Sequence, residues 1–464
     1  MSIGVMWFRR DLRLADQPAL QQALLECASV LMVYIDEFEG DDADVDASRA
    51  WLRRSLDALA GDVAKRGGRL HVLRGDAETL LPQLVDALGA AHVYASRLYE
   101  PGGDARDDRI AQQFRGQGIS FRRARGRVLT DAGGVSTKSG SPFRVFTPFF
   151  KAAEPTWRPR SIPAPDTLLS ADLPAEMAKY QVSIDAPIPA WDDGFWRLWT
   201  PGEAGAHARL DAFIDKHLRD YARQRDLPAI DATSRLSPNL HFGEISPAAV
   251  LSQVAGATEE GARKLIAELG WREFAYYVLQ HWPQTVDDNF DARFDGMRWR
   301  VDPAGLDAWQ RGMTGVPLVD AGMRQLWRTG WMHNRVRMVV ASYLTKHLGI
   351  DWRDGARWFM HTLVDADLAS NTLGWQWVAG SGVDAAPYYR IFNPVLQSRK
   401  FDPDGAYLRE WLPELVHLDA KAIHAPWEQG IRIRGYPDRP IVGLAEGRAW
   451  AQQAFAALSS KKTG

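Results

Sequence analysis

Along the first 130 residues, short apolar runs alternate with stretches of helical period. The runs are Ile3–Phe8, Val30–Ile35, Leu70–Leu73, His92–Ala95 and Ile119–Phe121, apolar or β-branched and too short for helices. Between them, segments such as Ser48–Lys65 and Ala77–Leu88 place apolar residues at helical spacing. This alternation predicts an α/β domain, a parallel sheet flanked by helices and Rossmann-like in architecture. No G-x-G-x-x-G follows the first run and no phosphate-loop lysine motif occurs, so the dinucleotide fingerprint is missing. From about Leu129 to Thr200, prolines and the Gly133-Gly134 pair interrupt every periodic stretch, which reads as a long ordered connector. After Pro201 the periods are helical and strands nearly vanish. The expected organisation is an α/β domain over 1–128, a connector over 129–199 and an all-helical domain over 200–464.

A chain of 464 residues is too long for one compact core, in keeping with that division. Its formal charge of −2 argues against a polybasic DNA-coating protein or a strongly acidic tail. The single cysteine, Cys27, excludes an intramolecular disulfide framework and a Cys-clustered metal site, and no His/Glu spacing reads as a metal centre. Ile3–Phe8, followed by Arg9 and Arg10, is too short for a signal peptide or a membrane span, so a cytoplasmic protein with no membrane partner is expected. One feature departs from the ordinary: of 19 Trp, ten lie between Trp271 and Trp377. A single Trp is most simply core filler, but that density asks for more.

Local charge is informative where net charge is not. Ala321–Ile350 holds no Asp or Glu but carries Arg324, Arg328, Arg335, Arg337 and Lys346. Ala385–Phe401 is also acid-free, with Arg390, Arg399 and Lys400 among Tyr388, Tyr389 and Phe392. Such runs suit either a surface that follows phosphates and stacks on bases or helix faces paired with acids elsewhere. Thr233-Ser234-Arg235-Leu236-Ser237-Pro238 puts three hydroxyls and a guanidinium before a helix start, fit for a pyrophosphate or for plain N-capping by Ser237. On the helix predicted over Gly261–His281, Glu268, Trp271 and Arg272 stand at i, i+3 and i+4, a ligand-facing set or a salt-bridged surface. Asn334, Arg337 and Met338 share another helical face, with Arg335 turned aside. Asp365–Trp377 gathers two carboxylates, an amide and two indoles, poor material for a plain core.

These segments identify a resemblance that runs nearly end to end. The chain resembles the DNA photolyases of the cryptochrome/photolyase family, and among them the class I-like enzymes acting on cyclobutane pyrimidine dimers. Trp7-Phe8-Arg9-Arg10-Asp11-Leu12-Arg13 is similar to the family's opening strand. Tyr221–Arg225, Thr233–Ser237, Trp271-Arg272-Glu273-Phe274, Gly330–Arg335 and Asp365–Trp377 are similar to its flavin and lesion signatures.

The resemblance implies a bent FAD within the helical domain. Tyr221 and Thr233, Ser234, Arg235, Leu236 and Ser237 would hold its phosphates and ribityl chain. Arg337 would pair with Asp365, Asn334 would line the site, and Asp367 and Asn371 would face the flavin ring. A pyrimidine dimer in DNA would flip out of the duplex into a pocket over the flavin. Trp271 and Trp377 would form its aromatic walls with Met338 and Asn334 nearby, and Glu268 would hydrogen-bond the thymine edges where charge appears. Arg225, Arg272, Arg335 and Gln397 would meet DNA. The implied reaction is light-driven electron transfer from reduced FAD to the dimer and back, the hard chemistry being the cofactor's. Trp375, Trp352 and Trp299, from the flavin outward, match the family's tryptophan chain for photoreduction. A monomer is expected.

Neighbouring family functions separate at a few positions. Relatives repairing (6-4) photoproducts, and animal cryptochromes, usually carry His where Asn334 and Met338 stand; plant cryptochromes carry Asp at Asn371. The alternative is a cryptochrome-like blue-light photoreceptor without repair activity. Folate-carrying relatives place an Asn-Glu pair after the Tyr-Glu of the first domain, whereas Tyr99-Glu100 here leads into Pro101-Gly102-Gly103. A folate antenna is therefore not expected from that motif, and a deazaflavin, another chromophore or an empty pocket stay open. Leu265 stands where some relatives place Trp, a change expected to adjust packing.

Overall fold

The computed structural model describes residues 2–37, 46–183, 192, 194–385 and 389–460. Five strands, β1 (Ile3–Phe8), β2 (Ser29–Asp36), β3 (Leu70–Arg74), β4 (His92–Ser96) and β5 (Ser120–Ala124), form one sheet in the order β3-β2-β1-β4-β5. Every pairing is parallel. The crossovers carry α1 (Pro18–Glu26), α2 (Ala47–Ala64), α3 (Ala77–Leu88) and α4 (Pro101–Gly116). Val5, Met6, Trp7 and Phe8 are all buried, because helices cover both faces and a covered parallel strand can be apolar throughout. Asp46 and Asp76 cap α2 and α3 by accepting the Arg49 and Thr79 amides, and Gly89 ends α3 at φ +60°. The order reverses between β1 and β4, the point where open α/β sheets hold ligands beyond their strand ends.

The predicted alternation is therefore present, with boundaries shifted by at most three residues. The connector crosses the sheet's flank: Ser170 bridges Val30, and Gln181 pairs with Leu73 on the outer strand β3, covering an edge that would otherwise offer open hydrogen bonds. It also contains a helix that its prolines hid, α5 (Phe146–Ala153).

Thereafter the described residues are helical. The chain continues through α6 (Glu203–Lys216), α7 (Tyr221–Gln224), α8 (Ser237–Phe242), α9 (Pro247–Gln253) and α10 (Glu260–His281). It goes on through α11 (Pro303–Gln310), α12 (Pro317–Thr329), α13 (Asn334–Ser342), α14 (Trp352–Thr362), α15 (Leu368–Ala379), α16 (Pro394–Phe401), α17 (Ala406–Trp411) and α18 (Leu444–Ser460). One apolar cluster joins the two halves, since Met6, Phe8 and Trp51 pack with Phe195, Trp199, Phe242, Trp331 and Val364. At its centre Glu244, wholly buried, accepts from Trp51 Nε1 (2.9 Å), Gly202 N (2.7 Å) and Asn239 Nδ2 (2.6 Å). A buried carboxylate is tolerated when its lone pairs are filled in this way.

No helix among the described residues is long and apolar enough to cross a membrane. The two acid-free runs are not plain solvated faces. Arg324 pairs with Glu414 (2.6 Å), Arg335 with Asp226 (3.0 Å) and Arg399 with Glu428 (3.0 Å), while Lys346 is fully buried against the Ala379 carbonyl (2.6 Å). Tyr388 lies outside the described residues.

Candidate active site

Two adjoining cavities open between α8, α10, α13 and α15. One, of about 240 Å³, is lined by Tyr221, Ser234, Leu236, Ser237, Glu268 and Arg272 among others. The second, of about 180 Å³, is lined by Asn334, Met338, Asn371 and Trp375 among others. Arg337, Asp365, Asp367 and Ser370 border both, so the two are compartments of one site.

Helix geometry explains who faces inward. Glu268 and Arg272, one turn apart on α10, line the first compartment, and Asn334 and Met338 line the second from the first two turns of α13, with Arg337 between them bordering both. Arg337 is fixed three times. Its Nη2 meets both Asp365 oxygens at 2.8 and 3.1 Å, and its Nε meets the Met332 carbonyl at 2.7 Å. Asp367 caps α15 by accepting the Ser370 amide at 2.9 Å. Its second oxygen accepts from Tyr276 and lies 3.4 Å from His241 Nδ1. Burial pushes the Asp367 carboxyl up, but those hydrogen bonds and the Arg272 charge outweigh it and hold the group well below the usual carboxylate range. Asn371 donates Nδ2 to the Ala356 carbonyl at 3.1 Å. Glu268 is clasped by Arg225 and, at 3.3 Å, by Lys264.

The remaining predicted residues stand elsewhere. Thr233 opens on a neighbouring polar cavity with Arg209 and Lys216. Arg235, at φ +48°, turns its guanidinium over Trp331 at 5.0 Å. Trp271 does not line the compartment that Glu268 and Arg272 share; it stacks on Phe146 of α5, centroids 3.8 Å apart and planes 8° apart. Trp377 donates to the Asp384 carbonyl at 3.0 Å, Arg335 lies over Phe401 at 4.4 Å, and Gln397 sits half-buried on α16. Trp375 and Trp352 are both buried, at 2% and 1% exposure, while Trp299 is half-buried against the same core cluster. Trp309, which sequence reasoning did not single out, packs edge-on against Trp375 at 6.2 Å. His241 was also passed over; its position five residues after Leu236 was the available signal.

The donor set fits FAD. Hydroxyls of Tyr221, Ser234 and Ser237 and two guanidiniums suit a pyrophosphate and a ribityl chain. Asp367 and Asn371 offer acceptors to a ring imide beside the apolar walls of Phe359, Leu363 and Trp375.

A further cleft, of about 420 Å³, lies at the reversal point of the sheet, lined by Trp7, Arg10, Tyr34, Leu98, Glu100 and Phe242 among others. Glu100 is engaged there by Arg127, at 3.0 and 3.1 Å.

Known proteins resemble this chain along nearly its whole length. The family model described as DNA photolyase matches residues 4–166, and that described as the FAD binding domain of DNA photolyase matches 265–457. A deoxyribodipyrimidine photo-lyase of Agrobacterium fabrum is 46% identical over 99% of this chain and 98% of its own. The crystal structure of a bacterial class III photolyase from Agrobacterium tumefaciens superposes with a TM-score of 0.93 at 44% identity, covering 99% of this chain and 98% of that one. Cryptochrome-1 of Arabidopsis thaliana is more distant, 35% identical over 98% of this chain and 70% of its own length. The expectation of a class I-like enzyme is corrected by this likeness to a class III photolyase. With both family models matched in order and identity sustained end to end, the chain belongs to the DNA photolyase/cryptochrome family.

Proposed function

We propose that the protein is a class III-like photolyase that repairs cyclobutane pyrimidine dimers in DNA under blue light. The observation that carries this reading is the two-compartment site sharing Arg337, Asp365 and Asp367, with Glu268 on one wall and Asn334, Met338 and Asn371 on the other. When bound, FAD supplies the photoexcited electron that splits the dimer. Tyr221, Ser234 and Ser237 hold its phosphates and ribityl chain, with Thr233, Arg235 and Leu236 shaping the loop that carries them. Arg337 and Asp365 fix the wall, and Asp367 and Asn371 meet the ring. Glu268, released from Arg225 and Lys264, hydrogen-bonds the flipped dimer. Trp271 and Trp377 flank the entrance, and Arg225, Arg272, Arg335 and Gln397 meet the phosphates and bases around the lesion. Trp375, Trp352 and Trp299 pass the hole outward during photoreduction. The cleft at the sheet's reversal point takes an antenna chromophore. The working unit is a cytoplasmic monomer with domains over 1–128 and 200–464 joined by 129–199.

The test is repair of an oligonucleotide bearing one thymine dimer by the reduced protein, in blue light against a matched dark control. Loss of dimer only in the light supports the enzyme. Flavin binding with no loss in either condition sinks it and leaves the photoreceptor reading, which the similarity to plant cryptochromes keeps as the second choice.

A further inference from the structure

Two polar limbs, part-buried at their outer ends, converge on Asp367. In the first, Arg10 Nη1 lies 2.8 Å from His241 Nε2, and His241 Nδ1 lies 3.4 Å from Asp367 Oδ2. A guanidinium has only donors, so Nε2 must accept, and the neutral ring then carries its proton on Nδ1, aimed at Asp367. Burial and the Arg10 charge both push the His241 pKa down, in keeping with a neutral ring.

In the second limb, Glu100 pairs with Arg127, and Arg127 Nη2 lies 3.0 Å from the Tyr276 hydroxyl oxygen. That oxygen therefore accepts from Arg127 and turns its hydrogen to Asp367 Oδ2. Arg272 closes the group, donating to the Arg127 carbonyl at 2.8 Å and to Glu273 at 3.2 Å. Arg10 and Glu100 line the cleft of the α/β domain, while Asp367 borders both compartments of the site. Arg10, Arg127 and Tyr276 line neither compartment.

We propose that Arg10, His241, Arg127 and Tyr276 are positioning residues for the FAD pocket, holding Asp367 ionised and in one orientation toward the cofactor ring, His241 from the pocket wall and the other three from outside it. One arginine fixes a histidine tautomer and the other fixes a hydroxyl rotor. Both proton donors are thereby aimed at a single carboxylate oxygen, and the other oxygen is kept by the Ser370 amide. The α/β domain thus completes a pocket that belongs to the helical domain. This rests on the reading of that pocket as the FAD site.

The test uses full-length protein, titrated with oxidised FAD after stripping, together with ¹⁵N-histidine NMR to read the His241 tautomer. The wild-type ring should be protonated on Nδ1. Arg10→Met should free Nε2 to take a second proton, giving imidazolium, and weaken FAD binding roughly 10-fold, the cost of losing one charge-assisted hydrogen bond. Arg10→Lys, which keeps a donor, should restore both readouts. Tyr276→Phe, which removes one oxygen and little volume, should weaken FAD binding by about 3–10-fold and serves where Arg10→Met does not fold. An Arg10→Met protein that keeps the Nδ1 tautomer, or a Tyr276→Phe protein whose affinity stays within about twofold, overturns the proposal. A wild-type protein that binds no FAD would sink the functional reading itself. One that binds FAD and repairs dimers while both variants match it sinks only the positioning role.

Discussion

Removing Arg337 alone should cost more than removing it together with its partner. The guanidinium meets both oxygens of Asp365 at 2.8 and 3.1 Å and the Met332 carbonyl at 2.7 Å, and Asp365 is only 7% exposed. Arg337→Met therefore strands a buried carboxylate, a change that typically costs about 3–5 kcal/mol. The Arg337 side chain is 23% exposed, so water from the cavity can reach the vacated space and the low end, about 3 kcal/mol, is the better expectation. In a domain of this size that corresponds to a fall in Tm of roughly 6–12 °C. The double variant Arg337→Met/Asp365→Asn no longer strands a charge and should recover at least half of that loss. Thermal melts of the wild type, both single variants and the double variant close a double-mutant cycle, run with and without added FAD. Additive losses would mean that the pair is not coupled and that Arg337 is held by the Met332 carbonyl alone. The FAD arm reads a second consequence. Because Arg337 and Asp365 border both compartments, the stabilisation by FAD should shrink in each single variant.

Other expectations follow from the same geometry. Burial holds His333 and His347 at pKa values of about 4, below the ordinary 6.5. An unfolded chain takes up those protons first, so stability present above pH 6.5 should be lost as pH falls toward 4, by up to about 3 kcal/mol for each ring; a His347→Gln variant whose urea midpoint shifts between pH 7 and pH 5 by the same amount as the wild type would contradict this. Glu244→Ala should leave the Trp51, Gly202 and Asn239 donors unpaired and lower Tm sharply, by several kcal/mol equivalent at about 1–3 per stranded group, while Glu244→Gln should lose less; equal melting of the two variants would argue against a hydrogen-bonding role. Trp299→Phe should abolish photoreduction of oxidised FAD yet leave repair by chemically reduced protein intact, which flash photolysis and a dimer assay distinguish. Glu268→Ala should lower repair per absorbed photon more than it lowers affinity for dimer-containing DNA, and equal quantum yields would remove Glu268 from the reaction.

Periodicity made the sheet legible, since β1 to β4 are apolar runs that only a covered parallel sheet accommodates, and the intervening helices carry their own caps at Asp46 and Asp76. Helical spacing also placed Asn334, Arg337 and Met338 together on one wall and Glu268 with Arg272 on another. Trp271, on the same predicted face, does not line the compartment that Glu268 and Arg272 share. A side chain three positions from Glu268 can swing to either side of the helix axis, and the aromatic α5, hidden among prolines, drew the indole toward Phe146. For the acid-free runs the sequence left two readings open, because a stretch without Asp or Glu says nothing about acids brought by other segments. Arg324 finds Glu414 and Arg335 finds Asp226 across the fold.

The centre of the site was the least legible part, for a reason that applies beyond this chain. Asp367 is oriented by groups from four separate segments: His241 stands 126 residues before it, Arg10 a further 231 before that, and Tyr276 and Arg127 are 149 apart. Each is unremarkable in its own neighbourhood, an arginine after a strand or a tyrosine one turn beyond Arg272. Their meaning is combinatorial: a donor-only guanidinium beside an imidazole decides which ring nitrogen bears the proton, and that choice exists only once the chain has closed. Local pattern reads what one element buries, whereas the protonation state of a buried carboxylate is settled by every element that touches it. For this reason the resemblance could name Asp367 while its control stayed invisible. It also explains why a substitution in the α/β domain should change cofactor binding in the helical one without touching the cofactor.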